Sequence, residues 1–197
     1  RQHIGLGTGT QLALAVAAGM QRLYVDGSGA SKHDMSAEDA AALAQAAGRG
    51  LRSSVGVYGF GAGGIVLESG KLQGEVTAPL VSQIPMPESW RAVLFVRREA
   101  EGLHGDAERT AFAGLKLVPF ELTAELTRLA VMEILPAVLS ARFIDFASAL
   151  TAYGKLAGKP FERASSRLPY AGATAQLFEW LDLQGVKGFA QSSWGPA

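Results

Sequence analysis

His3-Ile4-Gly5-Leu6-Gly7-Thr8-Gly9-Thr10-Gln11-Leu12 sets a glycine at alternate positions and then enters an apolar run. Alternating glycines let a backbone come close to an anion. The unpaired N–H groups and positive dipole end of a helix starting here favour negative charge. Leu12, Val16, Met20, Leu23 and Tyr24 recur at helical spacing, which predicts a helix over residues 10–24. Gly5, Gly7, Thr8, Gly9, Thr10 and Gln11 are therefore candidate phosphate-binding residues, and the Thr8 hydroxyl is a candidate metal contact. The stretch is neither a Walker loop, which ends Gly-Lys-Ser/Thr, nor the GxGxxG dinucleotide fingerprint. A tight turn followed by a threonine-capped helix would use the same residues, and spacing alone leaves both readings open.

Outward from this loop, Asp26-Gly27-Ser28-Gly29 breaks the first helix. Ser36 with Asp39 three positions on predicts the N-cap of an alanine-rich helix ending at Gly48. Gly48-Arg49-Gly50-Leu51-Arg52-Ser53-Ser54-Val55-Gly56 follows, then Gly61-Ala62-Gly63-Gly64, and residues 48–64 read as a glycine- and serine-rich loop. Arginine in such a loop can clamp phosphate or carboxylate through two N–H groups without crowding. Arg49, Arg52 and Ser53 are the candidates here; a solvated loop whose arginines pair with surface acids is the competing reading. A hairpin is expected from Ile65-Val66-Leu67 through a turn at Glu68-Ser69-Gly70 into residues 71–77. Pro79, Pro85 and Pro87 make residues 79–90 the expected linker, dividing the chain into domains 1–84 and 85–197.

Beyond the linker, residues 91–96 form a short β-rich run, and helices are expected over 106–114 and 123–135. Pro136 suits the first turn of a further helix, whose Leu139, Phe143, Phe146 and Leu150 recur at 4, 3 and 4 spacing as a core face. A last helix over 171–184 is capped by Gly185, and 186–191 read as a strand. That strand leads into Gln191-Ser192-Ser193-Trp194-Gly195-Pro196, a polar loop in which Trp194 can line a pocket or stack on a ring. A turn with a core tryptophan is the alternative. Separated strands and helices of this kind define an α+β fold.

The 197 residues balance 18 Lys and Arg against 18 Asp and Glu, so the chain lacks the basic surface that broad nucleic-acid binding requires. Without cysteine, disulfides and thiolate metal sites are excluded. The longest apolar run, 12–20, is about half the roughly 20 residues that cross a bilayer, so no membrane association and a cytoplasmic location are expected. His3, His33 and His104 lack metal-ligand spacing, and no nucleophile-elbow pattern is present. A glycine-rich loop this close to Arg1 normally follows a strand, so both flanks of the fold are expected to lie outside this sequence.

Taken in order, these motifs resemble the GHMP kinase superfamily. The Gly-Thr-Gln-Leu ending at 9–12 departs from the kinases' Gly-Leu-Gly-Ser-Ser-Ala. It is more similar to the β-ribofuranosylaminobenzene 5'-phosphate synthase branch. That branch also shows Gly-Arg-Gly-x-Arg-Ser, as at 48–53, a Gly-Gly pair, as at Gly63-Gly64, and Gln-Ser-Ser-Trp-Gly-Pro, as at 191–196. Pro87-x-x-Trp90-Arg91, Gly102-Leu103-x-Gly105-x-x-Glu108 and Leu135-Pro136-Ala137 extend the resemblance over essentially the whole chain.

The resemblance implies a GHMP-like two-domain fold, incomplete at both ends. It implies a pentosyltransferase of methanopterin biosynthesis that joins phosphoribosyl pyrophosphate to 4-aminobenzoate or 4-hydroxybenzoate. Pyrophosphate and carbon dioxide leave, and a carbon–carbon glycosidic bond forms. Mg²⁺ is the implied cofactor and a homodimer the implied assembly. Gln191, Ser192, Ser193, Trp194 and Gly195 are then expected to face the phosphate loop. Many kinases of this fold carry an aspartate, their candidate base, where this chain has Arg52. A cation there suits pyrophosphate or carboxylate binding and favours transferase over ATP-dependent kinase. A non-catalytic phosphoribosyl-binding subunit is the third reading. The resemblance assigns no general acid or base.

Overall fold

The computed structural model describes residues 6–24, 35–51, 53–96, 110, 113–114, 117–161 and 173–192. They fall into two compact units, the first Gly7–Met86 and the second Leu6 with the described residues from Pro87 onward. Each has helices, and the first adds a two-stranded sheet, so the chain is α+β.

In the first unit, helix α1 spans Thr8–Tyr24 and α2 spans Ala37–Ala46. The capping box expected at Ser36 is present: Asp39 N–H donates to Ser36 Oγ at 3.1 Å, and Ser36 N–H donates back to Asp39 Oδ2 at 3.2 Å. The core is built of small side chains. Leu14, Ala40, Leu43, Ala44 and Val57 are buried together, with Ala17 and Ala18 packed against them. The recurrent face of α1 is not that core. Leu12, Val16, Met20, Leu23 and Tyr24 are 53–81% exposed, because the helix presents its alanines to α2 and α3 instead.

The expected loop at 48–64 contains a helix, α3, at Val55–Ala62. Three glycines in eight residues disfavour it locally, each by up to about 1 kcal/mol relative to alanine. Tertiary bonds offset that cost. Ser54 Oγ accepts from Ala78 N–H at 2.8 Å, and Tyr58 Oη donates to Ala78 O at 2.6 Å. At the far end Gln83 Nε2 donates to Tyr58 O at 3.1 Å and Gly63 O at 2.7 Å.

Strand β1, Ile65–Glu68, pairs antiparallel with β2, Leu80–Ile84, and not with the expected 71–77. Residues 71–77 hold a turn around Gly74, with Leu72 N–H donating to Glu75 Oε2 at 2.8 Å, and Lys71 turns away to bind carbonyls. The partner strand thus lies inside the expected linker, bracketed by Pro79 and Pro85, which fall just outside the ladder. Gly64 enters β1 at φ +80°, where a Cβ would come within 2.4 Å of Ile84 O.

The second unit runs from Pro87. Trp90 is buried, edge-on to Phe143 at 5.4 Å and tilted against Phe146 at 4.8 Å. The helices expected at 123–135 and from Pro136 form one run: α4 at Phe120–Arg128, a π-helical stretch at Leu129–Ile134, and α5 at Leu135–Leu139 with Pro136 in its first turn. Ser140 to Arg142 then break the chain, Ala141 taking φ +51°, so Leu139 does not share a helix with Phe143 and is 71% exposed. Helix α6, Phe143–Gly158, buries Ala147, Ala149, Thr151, Gly154 and Gly158. Helix α7, Ala173–Leu183, ends as expected at Gly185, φ +73°, with Val186 N–H bonded to Leu181 O at 2.9 Å. Neither 91–96 nor 186–191 is a strand, since neither finds a ladder partner among the described residues. The helix expected at 106–114 lies mostly outside the described residues. Among the described residues no helix is long and apolar enough to cross a membrane.

Candidate functional site

Gly7, at φ +64°, turns the chain into α1, and its carbonyl accepts from Thr10 N–H at 2.9 Å and Gln11 N–H at 3.0 Å. Thr8 and Gly9 N–H have no partner among the described residues, the usual state of a helix's first turn. Thr8 and Gly9 are exposed, and a Cβ at Gly9 would meet nothing within 4 Å. Gln11 turns inward: its Nε2 donates to Gly56 O at 2.7 Å. A Cβ at Gly56 would lie 3.7 Å from Thr10 Cγ2 and 3.8 Å from Gln11 Nε2. The first turns of α1 and α3 therefore meet, bringing Thr10 and Gln11 of the first motif onto Gly56 of the second. Gly56 N–H also has no partner among the described residues.

Helix α2 launches the second motif. Gly48 takes φ +62°, and Arg49 N–H donates to Ala44 O at 2.7 Å, closing the helix end. The Arg49 side chain is exposed and makes no hydrogen bond or ion pair with the described residues. Gly50, φ +82°, is wedged against Val57 Cγ2 and Thr77 Cγ2, both 3.3 Å from where its Cβ would stand. Ser53 Oγ donates to Glu68 Oε1 at 2.9 Å, and Ser54 N–H donates to Glu68 Oε2 at 2.6 Å. The amino end of α3 thus already holds a carboxylate. A register shift between Leu67 and Glu68 turns that side chain out of the ladder. The Lys71 ammonium donates to Gly50 O at 2.8 Å, Leu51 O at 2.9 Å and Val76 O at 2.6 Å. Neither Glu68 nor Lys71 belongs to a motif; a glutamate at the end of a short strand, four residues past a Gly-Gly pair, is the only local signal.

In the second unit the third motif is anchored on α6. Gly188, φ +87°, sits where a Cβ would be 3.1 Å from Ala147 Cβ. Its N–H donates to Thr151 Oγ1 at 2.8 Å, and Phe189 N–H donates to the same oxygen at 3.4 Å. Phe189 packs on Phe178 at 4.8 Å, with Lys155 Nζ 5.6 Å from its ring centroid. Asp182 pairs with Lys155 and, at 2.9 Å, with Lys187. Those bonds, Lys155's first, hold the Asp182 carboxyl below its ordinary pKa. Gln191 and Ser192 follow, half-buried. Thr151, also missed, was legible as the lone polar residue on an alanine face one turn from Ala147. Burial pushes the Tyr153 phenol upward. Gly5, Arg52, Ser193, Trp194 and Gly195 lie outside the described residues.

The Mg²⁺ expectation meets a thin donor set. Helix α1 has no acidic residue in its first turn, and no three His, Asp or Glu side chains gather among the described residues. Thr8 alone does not fit the oxygen-rich shell Mg²⁺ takes.

No protein-family model matches the chain. Its curated relatives are 5'-phosphate synthases. The chain is 31% identical over 172 residues, 81% of its length and 51% of the relative's, to the beta-ribofuranosylphenol 5'-phosphate synthase of Archaeoglobus fulgidus. The proteins of that name from Methanothermobacter thermautotrophicus (27% identity, 99% of this chain and 59% of the relative) and Methanocaldococcus jannaschii (26%, 81% and 50%) match as well. The chain is a homologue of the beta-ribofuranosylphenol 5'-phosphate synthases and spans about half the length of those it matches.

Proposed function

We propose that this chain belongs to a cytoplasmic pentosyltransferase of GHMP-like two-domain fold that moves a phosphoribosyl group from phosphoribosyl pyrophosphate to a benzoate, with loss of carbon dioxide. The meeting of α1 and α3 carries the reading: Gln11 Nε2 binds Gly56 O at 2.7 Å, and the N–H groups of Thr8, Gly9 and Gly56 are left to an anion. Arg49, exposed and unpaired among the described residues, adds the cation a pyrophosphate needs. In the proposed reaction the bond from ribose C1 to the pyrophosphate oxygen breaks and a ring carbon bonds to C1. The pair from the ring–carboxyl bond returns to the ring as carbon dioxide leaves. That needs donors at the departing charge and no protein nucleophile. Arg52 and Ser53 belong to the same anion loop in this reading, and Gln191, Ser192, Ser193, Trp194 and Gly195 to the acceptor side.

The relatives' name specifies a phenol, which favours 4-hydroxybenzoate over 4-aminobenzoate as acceptor. The test is incubation of full-length protein with phosphoribosyl pyrophosphate, Mg²⁺ and each carboxyl-labelled benzoate. Labelled carbon dioxide is expected, faster from the hydroxy acid. No release from either acid rejects the proposal, and ATP-dependent phosphorylation of an alcohol in its place would establish the kinase reading.

A further inference from the structure

Helix α1 is apolar on both sides. Its inner side buries Leu14 and packs Ala17 and Ala18 into the small-residue core with α2 and α3. Its outer side carries Leu12, Val16, Met20, Leu23 and Tyr24, each more than half exposed. Across its 17 residues the helix has a single charge, Arg22 in the last turn. A helix with one side in water carries charged residues there, whereas one that is apolar all round belongs in an interior. Single apolar residues scattered on a surface need no explanation, but a continuous stripe roughly three turns long marks an interface.

Chemistry and size narrow what covers this stripe. The stretch that follows α1, residues 25–34, has one large apolar side chain, Val25, and cannot bury five others. A stable interface between two copies engages about 20–30 residues on each side, and five residues on one helix fall well short of that. So small a contact suits a segment of the same polypeptide, which is spared most of the entropic cost of association. The curated relatives have polypeptide to give. The match covers 99% of this chain but 59% of the Methanothermobacter thermautotrophicus protein, so about two-fifths of that relative lies outside it.

We propose that the outer stripe of α1 is the docking surface for an apolar segment of the full-length polypeptide that lies outside these 197 residues. That segment closes the core of the first unit over α1 and holds the helix that carries the Gly7–Thr10 turn. The proposal does not rest on the anion-site reading, and each can fail alone.

Photo-crosslinking of the full-length protein, grown with photo-methionine in place of methionine, tests it. Met20 is expected to crosslink to a peptide from outside these 197 residues, in a product that runs at the mass of one chain on a denaturing gel. A Met20 crosslink at the mass of two chains assigns the stripe to a second copy. A crosslink to a peptide within residues 1–197 assigns it to a contact inside this part of the chain, and capture of solvent alone leaves the face open. Each of these results overturns the proposal, as does a full-length protein with no further residues. If photo-methionine prevents folding, peroxide oxidation of Met20 in unlabelled protein carries the same test. Oxidation roughly tenfold slower than in urea is expected, unchanged on dilution. Equal rates, or protection lost on dilution, overturn the docking surface.

Discussion

Gln11 on α1 binds the carbonyl of Gly56 on α3 at 2.7 Å, and this bond joins two motifs 45 residues apart. Each motif alone is a glycine-rich turn entering a helix. Joined at their first turns, the two helices set Thr10 and Gln11 of the first motif against Gly56 of the second. The glutamine is spent on geometry, which leaves the anion to the backbone.

Replacing Gln11 with leucine keeps its bulk but leaves Gly56 O without its donor. The expected cost is about 1 kcal/mol, the net worth of one such bond, read as a lower urea midpoint with unchanged slope. Pyrophosphate affinity should fall as well, because the two helix ends are no longer tied.

Gly56→Ala separates binding from stability. The added methyl would make ordinary contacts at 3.7 and 3.8 Å, and the position is helical. Alanine should therefore leave the melting temperature unchanged or raise it, by up to about 1 kcal/mol of stability. On the proposed anion reading the methyl crowds Thr10 and Gln11 at the binding loop, so calorimetry should show weaker pyrophosphate binding in a protein at least as stable.

Gly64→Ala should do the opposite. Its Cβ would fall 2.4 Å from Ile84 O at φ +80°, and a strand carbonyl cannot retreat without breaking the β1–β2 ladder. A loss of roughly 3 kcal/mol or more is expected, visible as a lower thermal midpoint.

The sequence was legible where structure is local. Ser36 and Asp39 form the capping box their spacing predicts, and Gly185 ends α7, because both devices lie within one helical turn. Helix α3 was illegible because its glycines argue against it and its support comes from Ala78 and Gln83, far along the chain. Residues 80–84 displaced 71–77 as the second strand for a similar reason: Lys71 is drawn away by Gly50 and Leu51 carbonyls that no pattern around it reveals. At the candidate site, glycine and threonine spacing revealed the α1 turn, whereas Glu68 carries no motif and its role exists only after β1 has folded.

The carboxyl of Asp182 carries a pH dependence. Lys155 and then Lys187 hold its pKa below the ordinary 3.8, so its folded value lies under its unfolded one. The pair's contribution is therefore complete above the ordinary value and fades as pH falls through the depressed one. The carboxyl is only partly covered, so the effect on global stability should be small. Carboxyl NMR titration should place the Asp182 midpoint below 3.8, and Lys155→Ala should move it upward more than Lys187→Ala does. A midpoint at or above the ordinary value would count against both ion pairs.

Thr151 offers the sharpest test of how the terminal motif is held. Its hydroxyl is buried, at 5% exposure, and accepts from both Gly188 N–H and Phe189 N–H. Valine matches its shape and removes the acceptor, leaving two backbone donors competing for none. That should cost about 1–3 kcal/mol and speed amide exchange at residues 188 and 189. Serine keeps the oxygen and should restore both amides' protection, at the smaller cost of one missing methyl. Should Gln191 and Ser192 hold the aromatic acceptor, Thr151→Val will also raise the KM for 4-hydroxybenzoate while sparing that for phosphoribosyl pyrophosphate. A variant that is unstable yet kinetically normal would detach this motif from the chemistry and leave Thr151 a purely structural role.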